Sequence, residues 1–340
     1  MTGRYKNSLK YLFSIVLTFG LLYIAFRSVD GERLAAAMRS ANYLWLLVMF
    51  LLLMISHSLR SWRWRYFLDP IKPRVGFRNL FSAVMVGYVV NNVLPRAGEL
   101  VRPYTLGRLE SIPKSAALGT IVVERIMDAI SILLLLVLIP LVYDGPLRET
   151  FPWLKKAGII LSVVMTAFVV VAVVLMMNRE IATKLVGVFQ HVISERLHLR
   201  VHGMVHSFLD GFLFLKRPDN FLIIFFLSVG VWLLYVAMMY AAFFAFHIEE
   251  TLGWRGAIVI LAISSIGVAM PTPGSTGSYH VFTSQALTGL FFVPPDVALG
   301  YATLTHAVGY VGVSLVGLFF FLHDHVKLSE AITNETESRA

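Results

Sequence analysis

Charged residues stand in two places where the surrounding sequence is apolar. The first place holds Arg96, Glu99 and Arg102, just after a Pro-x-x-Gly step that begins at Pro95. Such a step breaks a helix and leaves backbone N–H groups free to attract an anion. Guanidinium groups add full positive charges and hold a phosphate through paired hydrogen bonds. The segment is therefore a candidate anion site, and the alternative is an ordinary loop whose arginines only set membrane topology.

Three more charged residues, Glu124, Arg125 and Asp128, lie inside a long apolar run from 116 to 143. Each charge at the bilayer centre costs about 2.5–3.5 kcal/mol, so such charges are paired or line a wet cavity. Glu124 and Asp128 are four residues apart and share a helix face. Arg125 projects about 100° away from Glu124, and we expect it to meet Glu99 on another helix. The functional roles open to these groups are lining a substrate cavity and acting as a proton-coupled carboxylate. The structural alternative is ion pairing between helices, and these roles are not exclusive.

A second Pro-x-x-Gly step begins at Pro271, which lies 176 residues after Pro95, about half of the chain length. Its small, turn-forming residues present backbone amides and hydroxyl groups to a head group, or form a moving gate. The alternative is a plain extracellular turn. The complete set of predicted binding residues is Asn91, Asn92, Arg96, Gly98, Glu99, Arg102, Tyr104, Glu124, Arg125, Asp128, Pro271, Pro273, Gly274, Ser275 and Gly277.

The composition predicts an all-α polytopic membrane protein. Of 340 residues, 57% are hydrophobic and only 14% are charged, which is too apolar for a water-soluble domain. The formal net charge of +9 indicates membrane topology rather than nucleic-acid binding. Cysteine is absent, which excludes disulfides and Cys-ligated metals. We expect no nucleic-acid partner, no metal and no cofactor.

Six apolar runs are long enough to cross a bilayer, at about 9–27, 43–60, 116–143, 157–177, 221–246 and 298–322. Two shorter, Gly/Pro-interrupted segments, at about 76–110 and 257–292, are interpreted as re-entrant hairpins, with pairs of full crossings as the alternative. If the N-terminus is cytoplasmic, 21 of the 29 Lys and Arg lie on the cytoplasmic side and 7 on the other. This bias supports a plasma-membrane protein with both termini in the cytoplasm.

The topology also predicts an internal repeat within one transmembrane domain, residues 1–322. The halves, about 1–150 and 151–322, each contain three crossings and one hairpin, so an odd number of crossings inverts the second half. The two hairpins then enter from opposite faces and meet. Residues 178–220 are predicted as an amphipathic cytoplasmic connector, and residues 323–340 as a disordered tail. Trp62 and Trp64 are interpreted as an interfacial anchor.

These residues carry a family resemblance. The stretch N-N-V-L-P-R-A-G-E-L-V-R-P-Y at 91–104, followed by V-E-R-I-M-D at 123–128, resembles the transmembrane region of lysylphosphatidylglycerol synthases. The stretch P-T-P-G-S-T-G at 271–277 resembles a later family segment that usually reads P-x-P-G-G-x-G with an acid after it. Here Ser275 replaces the second glycine, and Ser278, Tyr279 and His280 follow. The resemblance spans about residues 5–325.

The resemblance implies a flippase-like membrane fold that moves charged or lipid-linked head groups between leaflets. The aminoacyltransferase part of the synthases is not expected here, so lysyl transfer is not expected either. We expect a transporter, not an enzyme, for an anionic phospholipid or a polyprenyl-phosphate-linked lipid. The alternatives are a membrane enzyme acting on a lipid phosphate and a scaffold for cell-envelope glycosyltransferases. Expected partners are membrane lipids, with a second copy of the chain and envelope-biosynthesis enzymes as further candidates.

Overall fold

The computed structural model describes residues 2–177 and 195–326, and these two ranges contain helices and turns but no strand. Short 3₁₀ turns occur at Leu213–Lys216, Pro218–Asn220 and Pro273–Ser275. The α-helices, numbered in chain order over these ranges, are α1 (Thr2–Phe26), α2 (Gly31–Arg39), α3 (Tyr43–Leu68), α4 (Phe77–Val93), α5 (Gly98–Glu110), α6 (Lys114–Val142), α7 (Leu147–Thr150), α8 (Leu154–Met177), α9 (Glu195–Asp210), α10 (Phe221–Ala245), α11 (Glu249–Ala269), α12 (Ser278–Phe291) and α13 (Pro295–His323).

The all-helical, multi-pass prediction is confirmed. Each of the six predicted crossings falls on one helix, namely α1, α3, α6, α8, α10 or α13. By length and apolarity, five helices of the described ranges can cross a membrane, at Tyr43–Leu68, Lys114–Val142, Pro218–Ala245, Glu249–Ala269 and Pro295–His323. The pair α1–α2, bent by 88°, makes a sixth if it counts as one span. Helix α11 is thus long enough to cross the membrane, although the sequence placed it in a re-entrant segment.

The same order of helices occurs twice. Helix α3 is followed by the first hairpin (α4, the turn at 94–97, and α5) and then by α6. Helix α10 is followed by the second hairpin (α11, the turn at 270–277, and α12) and then by α13. The two arms of each hairpin pack on each other, and α3 packs along α10. The repeated order agrees with the 176-residue spacing of the two Pro-x-x-Gly steps, while the inverted orientation and the re-entrant path stay predictions.

The first hairpin closes at its tip because two glycines let its arms touch. A Cβ atom on Gly98 would lie 1.9 Å from the backbone oxygen of Gly87. The Gly98 N–H donates to Asn91 Oδ1 at 2.7 Å, which satisfies a free backbone donor at the start of α5. The tip can therefore form only with glycine at position 98.

At the other end of the first hairpin, the Glu110 carboxylate joins the start of α4 to the end of α5. It accepts hydrogen bonds from Lys72 Nζ at 2.7 Å, Asn79 Nδ2 at 2.7 Å and the Gly76 N–H at 3.1 Å. Partial burial raises the pKa of Glu110, but these hydrogen bonds outweigh it and hold the pKa below its ordinary value. Both ends of the hairpin are thus fixed by polar contacts.

The predicted connector at 178–220 is described from residue 195 onward, and residues 178–194 lie outside the described ranges. Its second part packs on α6, where a Cβ atom on Gly119 would lie 2.1 Å from the backbone oxygen of Phe208. Leu209, Phe212 and Phe214 are buried. The apolar side of this segment therefore covers the protein itself. Of the predicted tail, Asp324 accepts a hydrogen bond from Arg78 Nη2 at 2.6 Å, and residues 327–340 lie outside the described ranges.

We predict that Gly98→Ala destabilises the protein by about 1–3 kcal/mol, because the added methyl group overlaps the Gly87 backbone. The control is Gly158→Ala, since a Cβ atom at Gly158 meets nothing within 4 Å and alanine favours a helix. Thermal unfolding of both variants in detergent measures the difference. Equal melting temperatures would contradict the close contact at the hairpin tip.

Candidate functional site

A cluster of charged side chains lies between α3, α5 and α6. Helix α3 supplies two arginines, α5 supplies one, and α6 supplies one arginine and two acids. We call these six residues the charge cluster: Arg60, Arg63, Arg102, Glu124, Arg125 and Asp128.

Glu124 is the centre of the charge cluster. Its carboxylate receives two parallel hydrogen bonds from Arg102, both at 2.9 Å. Arg60 Nη1 donates to the same carboxylate at 2.8 Å and Arg125 Nη2 at 2.6 Å. The Glu124 side chain is completely buried. Three arginines from three helices thus converge on one acid, which fixes α3 and α5 against α6.

Asp128 lies one turn further along α6 and also contacts three arginines. Arg60 and Arg125 reach Asp128 Oδ2, each at 3.0 Å, and Arg63 reaches Oδ1 at 3.1 Å. Arg60 and Arg125 therefore bridge both acids. The i, i+4 spacing places both carboxylates on one face of α6, as the sequence indicated.

Uncharged groups hold the arginines in place. The Arg102 guanidinium lies 3.9 Å above the ring of Trp64, within cation–π distance. Trp64 is fully buried and donates from Nε1 to Thr120 Oγ1 at 2.8 Å. The interpretation of Trp64 as an interfacial anchor is therefore wrong, because α3 turns this side chain into the protein. Trp62, on another face of α3, is 50% exposed.

The charge cluster carries an excess of two positive charges, since four guanidinium groups face two carboxylates. The Nε atoms of Arg60, Arg63 and Arg102 are buried without a hydrogen-bond partner among the described residues. Unbalanced charge in a low-dielectric region is costly, and a nearby anion lowers that cost. The cluster therefore favours negative charge in its surroundings.

A narrow cleft joins the charge cluster to the tip of the first hairpin. Its volume is about 30 Å³, which is room for about one water molecule. Arg102 and Arg125 bring the positive charge of the cluster to its wall. The lining residues are Val84, Gly87, Tyr88, Asn91, Gly98, Glu99, Arg102, Ile121 and Arg125.

The pairing of Arg125 with Glu99 is wrong, because Arg125 contacts the two acids of its own helix instead. The long guanidinium side chain reaches round α6 to Glu124 despite the 100° offset between the two residues. Glu99 lines the cleft and forms no ion pair within the described ranges. Tyr104 is buried, with Lys114 Nζ 4.5 Å from its ring centre.

The residues of the second turn lie outside this cleft. Gly274, Ser275 and Gly277 all have positive φ values, of 54°, 61° and 83°. The Pro271 carbonyl accepts from Ser14 Oγ of α1 at 2.7 Å, and Pro273 opens the short 3₁₀ turn Pro273–Ser275. The second turn is thus packed against α1. Asn92 and Arg96 of the first hairpin point away from the cleft, and they contact α13 and the end of α11.

Arg60 and Arg63 belong to the charge cluster but were not among the binding residues predicted from the sequence. Both are buried, beside the tryptophans that were interpreted as an interfacial anchor. Their spacing of three residues puts them on one face of α3, and two acids inside a crossing require cations from another helix. The match between two acids on α6 and two arginines on one face of α3 was therefore the feature of the sequence that could have predicted their pairing.

The fold and the site define a multi-pass helical membrane protein with a buried arginine–carboxylate cluster. The family model described as "Lysylphosphatidylglycerol synthase TM region" matches residues 11–317. The chain therefore belongs to this family, and the match confirms the resemblance of the two motifs.

Among similar proteins, a UPF0104 membrane protein of Methanothermobacter thermautotrophicus is 25% identical over 332 residues, covering 93% of this chain and 94% of the relative. A UPF0104 membrane protein of Methanocaldococcus jannaschii is 24% identical over 319 residues, covering 91% of this chain and 93% of the relative. Glycosyltransferase AglD of Haloferax volcanii is 23% identical over 354 residues, covering 96% of this chain but 56% of that protein. No solved structure matches the chain.

We predict that Glu124→Gln destabilises the protein by about 3–5 kcal/mol, because it removes the counter-charge that the buried Arg60 and Arg102 share with Arg125. The matched control is Glu149→Gln, an exposed acid of the short helix α7. Thermal unfolding and size-exclusion profiles in detergent check both variants. If the two substitutions behave alike, the charge cluster does not hold these helices together.

Proposed function

We propose that this protein moves a lipid with an anionic phosphate head group across the bilayer. One observation carries the proposal: a buried cluster with two excess positive charges borders a cleft inside a membrane domain. A phosphate that leaves the aqueous interface loses its hydration, and fixed guanidinium groups replace part of it. The acyl chains stay in the surrounding lipid.

Two side chains of the cleft are suited to the phosphate. Arg125 is 42% exposed and lines the cleft, so it is the arginine of the cluster most open to a ligand. Arg102 lines the cleft beside it and is held in place by Glu124 and Trp64. These two contacts keep the guanidinium of Arg102 oriented without a ligand, which reduces the entropy lost on binding. Asn91 and Tyr88 supply further polar contacts.

The cleft of about 30 Å³ admits about one water molecule and is too small for a phosphate group. The cleft is open at Arg125, whose side chain is 42% exposed, but its walls lie too close together to enclose a phosphate. Transport requires the first hairpin to move relative to its neighbours and open the cleft to one side at a time. Two hairpins at corresponding positions of two repeats are the arrangement in which rocking motions give alternating access.

We favour transport over catalysis because both acids of the cluster are occupied by arginines. A carboxylate held by three guanidinium groups is a poor general base and a poor metal ligand. The excess of Lys and Arg in the predicted cytoplasmic segments, 21 against 7, supports a plasma-membrane location with both termini in the cytoplasm.

A second candidate function is favoured by one comparison. The similarity to Glycosyltransferase AglD covers 96% of this chain and only 56% of that protein. We propose as the alternative that this chain is a membrane partner for a separate glycosyltransferase. In that case the surface formed by α9 is the docking site, and substitutions in the cleft leave the cellular phenotype unchanged while removal of α9 abolishes it.

We predict that purified protein in phosphatidylcholine vesicles speeds the exchange of a fluorescent phosphatidylglycerol between leaflets, measured by dithionite quenching. Arg125→Gln lowers this rate about tenfold or more, since a charged hydrogen bond is worth about 1.5–3 kcal/mol and 1.4 kcal/mol is tenfold. Arg125→Lys keeps the charge and retains part of the rate.

The matched control is Arg148→Gln, which removes an exposed arginine beside the membrane domain and is expected to leave the rate unchanged. The same vesicles are tested with a fluorescent polyprenyl phosphate. If neither lipid moves faster than in protein-free vesicles, or if Arg125→Gln and Arg148→Gln have equal effects on both, the transport proposal is wrong.

A further inference from the structure

The tips of the two hairpins touch each other. Arg96, in the turn of the first hairpin, donates from Nη2 to the backbone oxygen of Ala269 at 2.6 Å. Ala269 is the last residue of α11, where the carbonyl groups have no partner inside the helix. Arg96 is exposed and has a positive φ of 60°. An uncommon backbone conformation therefore directs a positive side chain to the free carbonyl end of the other hairpin.

Helix α13 ties both tips together. Tyr310 Oη donates to the backbone oxygen of Asn92 at 3.0 Å, and Asn92 Nδ2 donates to Ser314 Oγ at 2.8 Å. One turn earlier on α13, His306 Nε2 lies 2.9 Å from the backbone oxygen of Gly274. We call the contacts of Asn92, Arg96, His306, Tyr310 and Ser314 the turn latch.

The turn latch lies directly beside the cleft. Asn91 lines the cleft, and the next residue, Asn92, belongs to the latch. Side chains of consecutive helical residues point about 100° apart, so one turn of α4 has the cleft on one side and α13 on the other. Any movement that separates Asn92 from α13 also moves Asn91 and changes the cleft.

Further down, α4 and α13 meet backbone to backbone. A Cβ atom on Gly317 would lie 2.5 Å from the backbone oxygen of Met85. Here the two backbones approach closely and Val89 also lies against Gly317, whereas the contacts near Asn92 are single hydrogen bonds. The first hairpin is therefore held more tightly near Met85 than at its tip. It can tilt about the contact near Met85 while its tip moves.

The relative strength of the contacts decides where the cleft can open. On its α6 side, opening would break buried salt bridges, which leaves uncompensated charge and is strongly unfavourable. Helix α13 lies behind the α4 wall and does not itself line the cleft. Moving the hairpin tip away from α13 breaks hydrogen bonds of side chains that are partly exposed and can be rehydrated, and each of these contributes little. The tip of the first hairpin therefore separates from α13 and the second turn before it separates from α6.

We propose that the turn latch is the gate of the cleft: when the two hairpin tips separate, the first hairpin tilts about its contact with α13 near Met85. The tip residues that line the cleft, Asn91, Gly98 and Glu99, then move away from Arg102, which is 8% exposed, and make it accessible beside Arg125, which is already 42% exposed. The proposal rests on the proposed function, since it states how access to that same site is controlled. It assigns Asn92, Arg96, Tyr310 and Ser314 to gating and not to direct binding of the phosphate.

The natural absence of cysteine allows a direct test by cross-linking. Asn92→Cys and Ser314→Cys are combined, because the two native side chains are in contact, and the thiols are joined by a short bis-methanethiosulfonate reagent that dithiothreitol cleaves. We expect that cross-linking lowers the exchange of fluorescent phosphatidylglycerol in phosphatidylcholine vesicles about tenfold or more, and that reduction restores it. The control pair is Glu32→Cys with Ala36→Cys, both exposed on α2, where cross-linking within one helix leaves the rate unchanged.

The outcomes separate the two proposals. If the reduced double variant moves the lipid and cross-linking does not slow it, the gate is wrong and transport stands. If wild-type protein moves neither fluorescent phosphatidylglycerol nor fluorescent polyprenyl phosphate, the proposed function is wrong, and the gate is then judged by a second measurement that needs no transport.

The second measurement is thiol accessibility. Glu99→Cys places a single thiol on the cleft wall, and its labelling by a water-soluble maleimide is timed. Adding Tyr310→Phe removes the hydroxyl that bonds Asn92 and is expected to speed labelling roughly threefold to tenfold, the effect of losing one hydrogen bond. The matched control is Tyr143→Phe, which removes a tyrosine hydroxyl from the Leu290 backbone oxygen far from the latch. Equal labelling rates with Tyr310→Phe and Tyr143→Phe would overturn the gate.

Discussion

The pairing of four guanidinium groups, three of them buried, with two carboxylates inside a membrane domain is the constraint on which the rest of this structure depends. A charge removed from water is unfavourable unless it is paired, and two carboxylates one turn apart on α6 supply the pairing. Because the arginines come from α3, α5 and α6, their need for counter-charge determines how these helices pack. The same arrangement leaves two positive charges unbalanced, and these make the neighbouring cleft attractive to an anion. Structure and proposed function thus have one electrostatic origin.

Much of the fold could be predicted from the amino-acid sequence. The long apolar runs placed α3, α6, α10 and α13, because apolar length is a local property that one segment reveals by itself. The two Pro-x-x-Gly steps located the two turns, since proline and glycine restrict the backbone locally. The path of α11 was harder to predict, because a spanning helix and a re-entrant arm are both apolar segments and have similar compositions.

The site was predicted only in part because its pairings are not local. Glu124 and Asp128 can be recognised in the sequence as acids within an apolar run. The sequence does not show which arginines pair with them. Arg60 and Arg63 lie more than 60 residues away and were not predicted as partners, and Trp64 beside them was interpreted as an interfacial anchor. A helical wheel gives only the direction in which a side chain leaves the helix. The long arginine side chain can bend back, so Arg125 contacts Glu124 of its own helix and not Glu99.

Contacts of unequal strength give the domain a rigid part, at the charge cluster, and a more mobile part, at the hairpin tips. Salt bridges join α3 and α5 to α6, while single hydrogen bonds join the hairpin tips to α13. The most direct test of the account is a cryo-electron microscopy structure in nanodiscs that contain an anionic phospholipid. The account predicts a lipid phosphate within hydrogen-bonding distance of Arg102 and Arg125 in a conformation with separated hairpin tips. Phosphate density only at the outer surface, with the tips in contact and the cleft closed in every conformation, would contradict it.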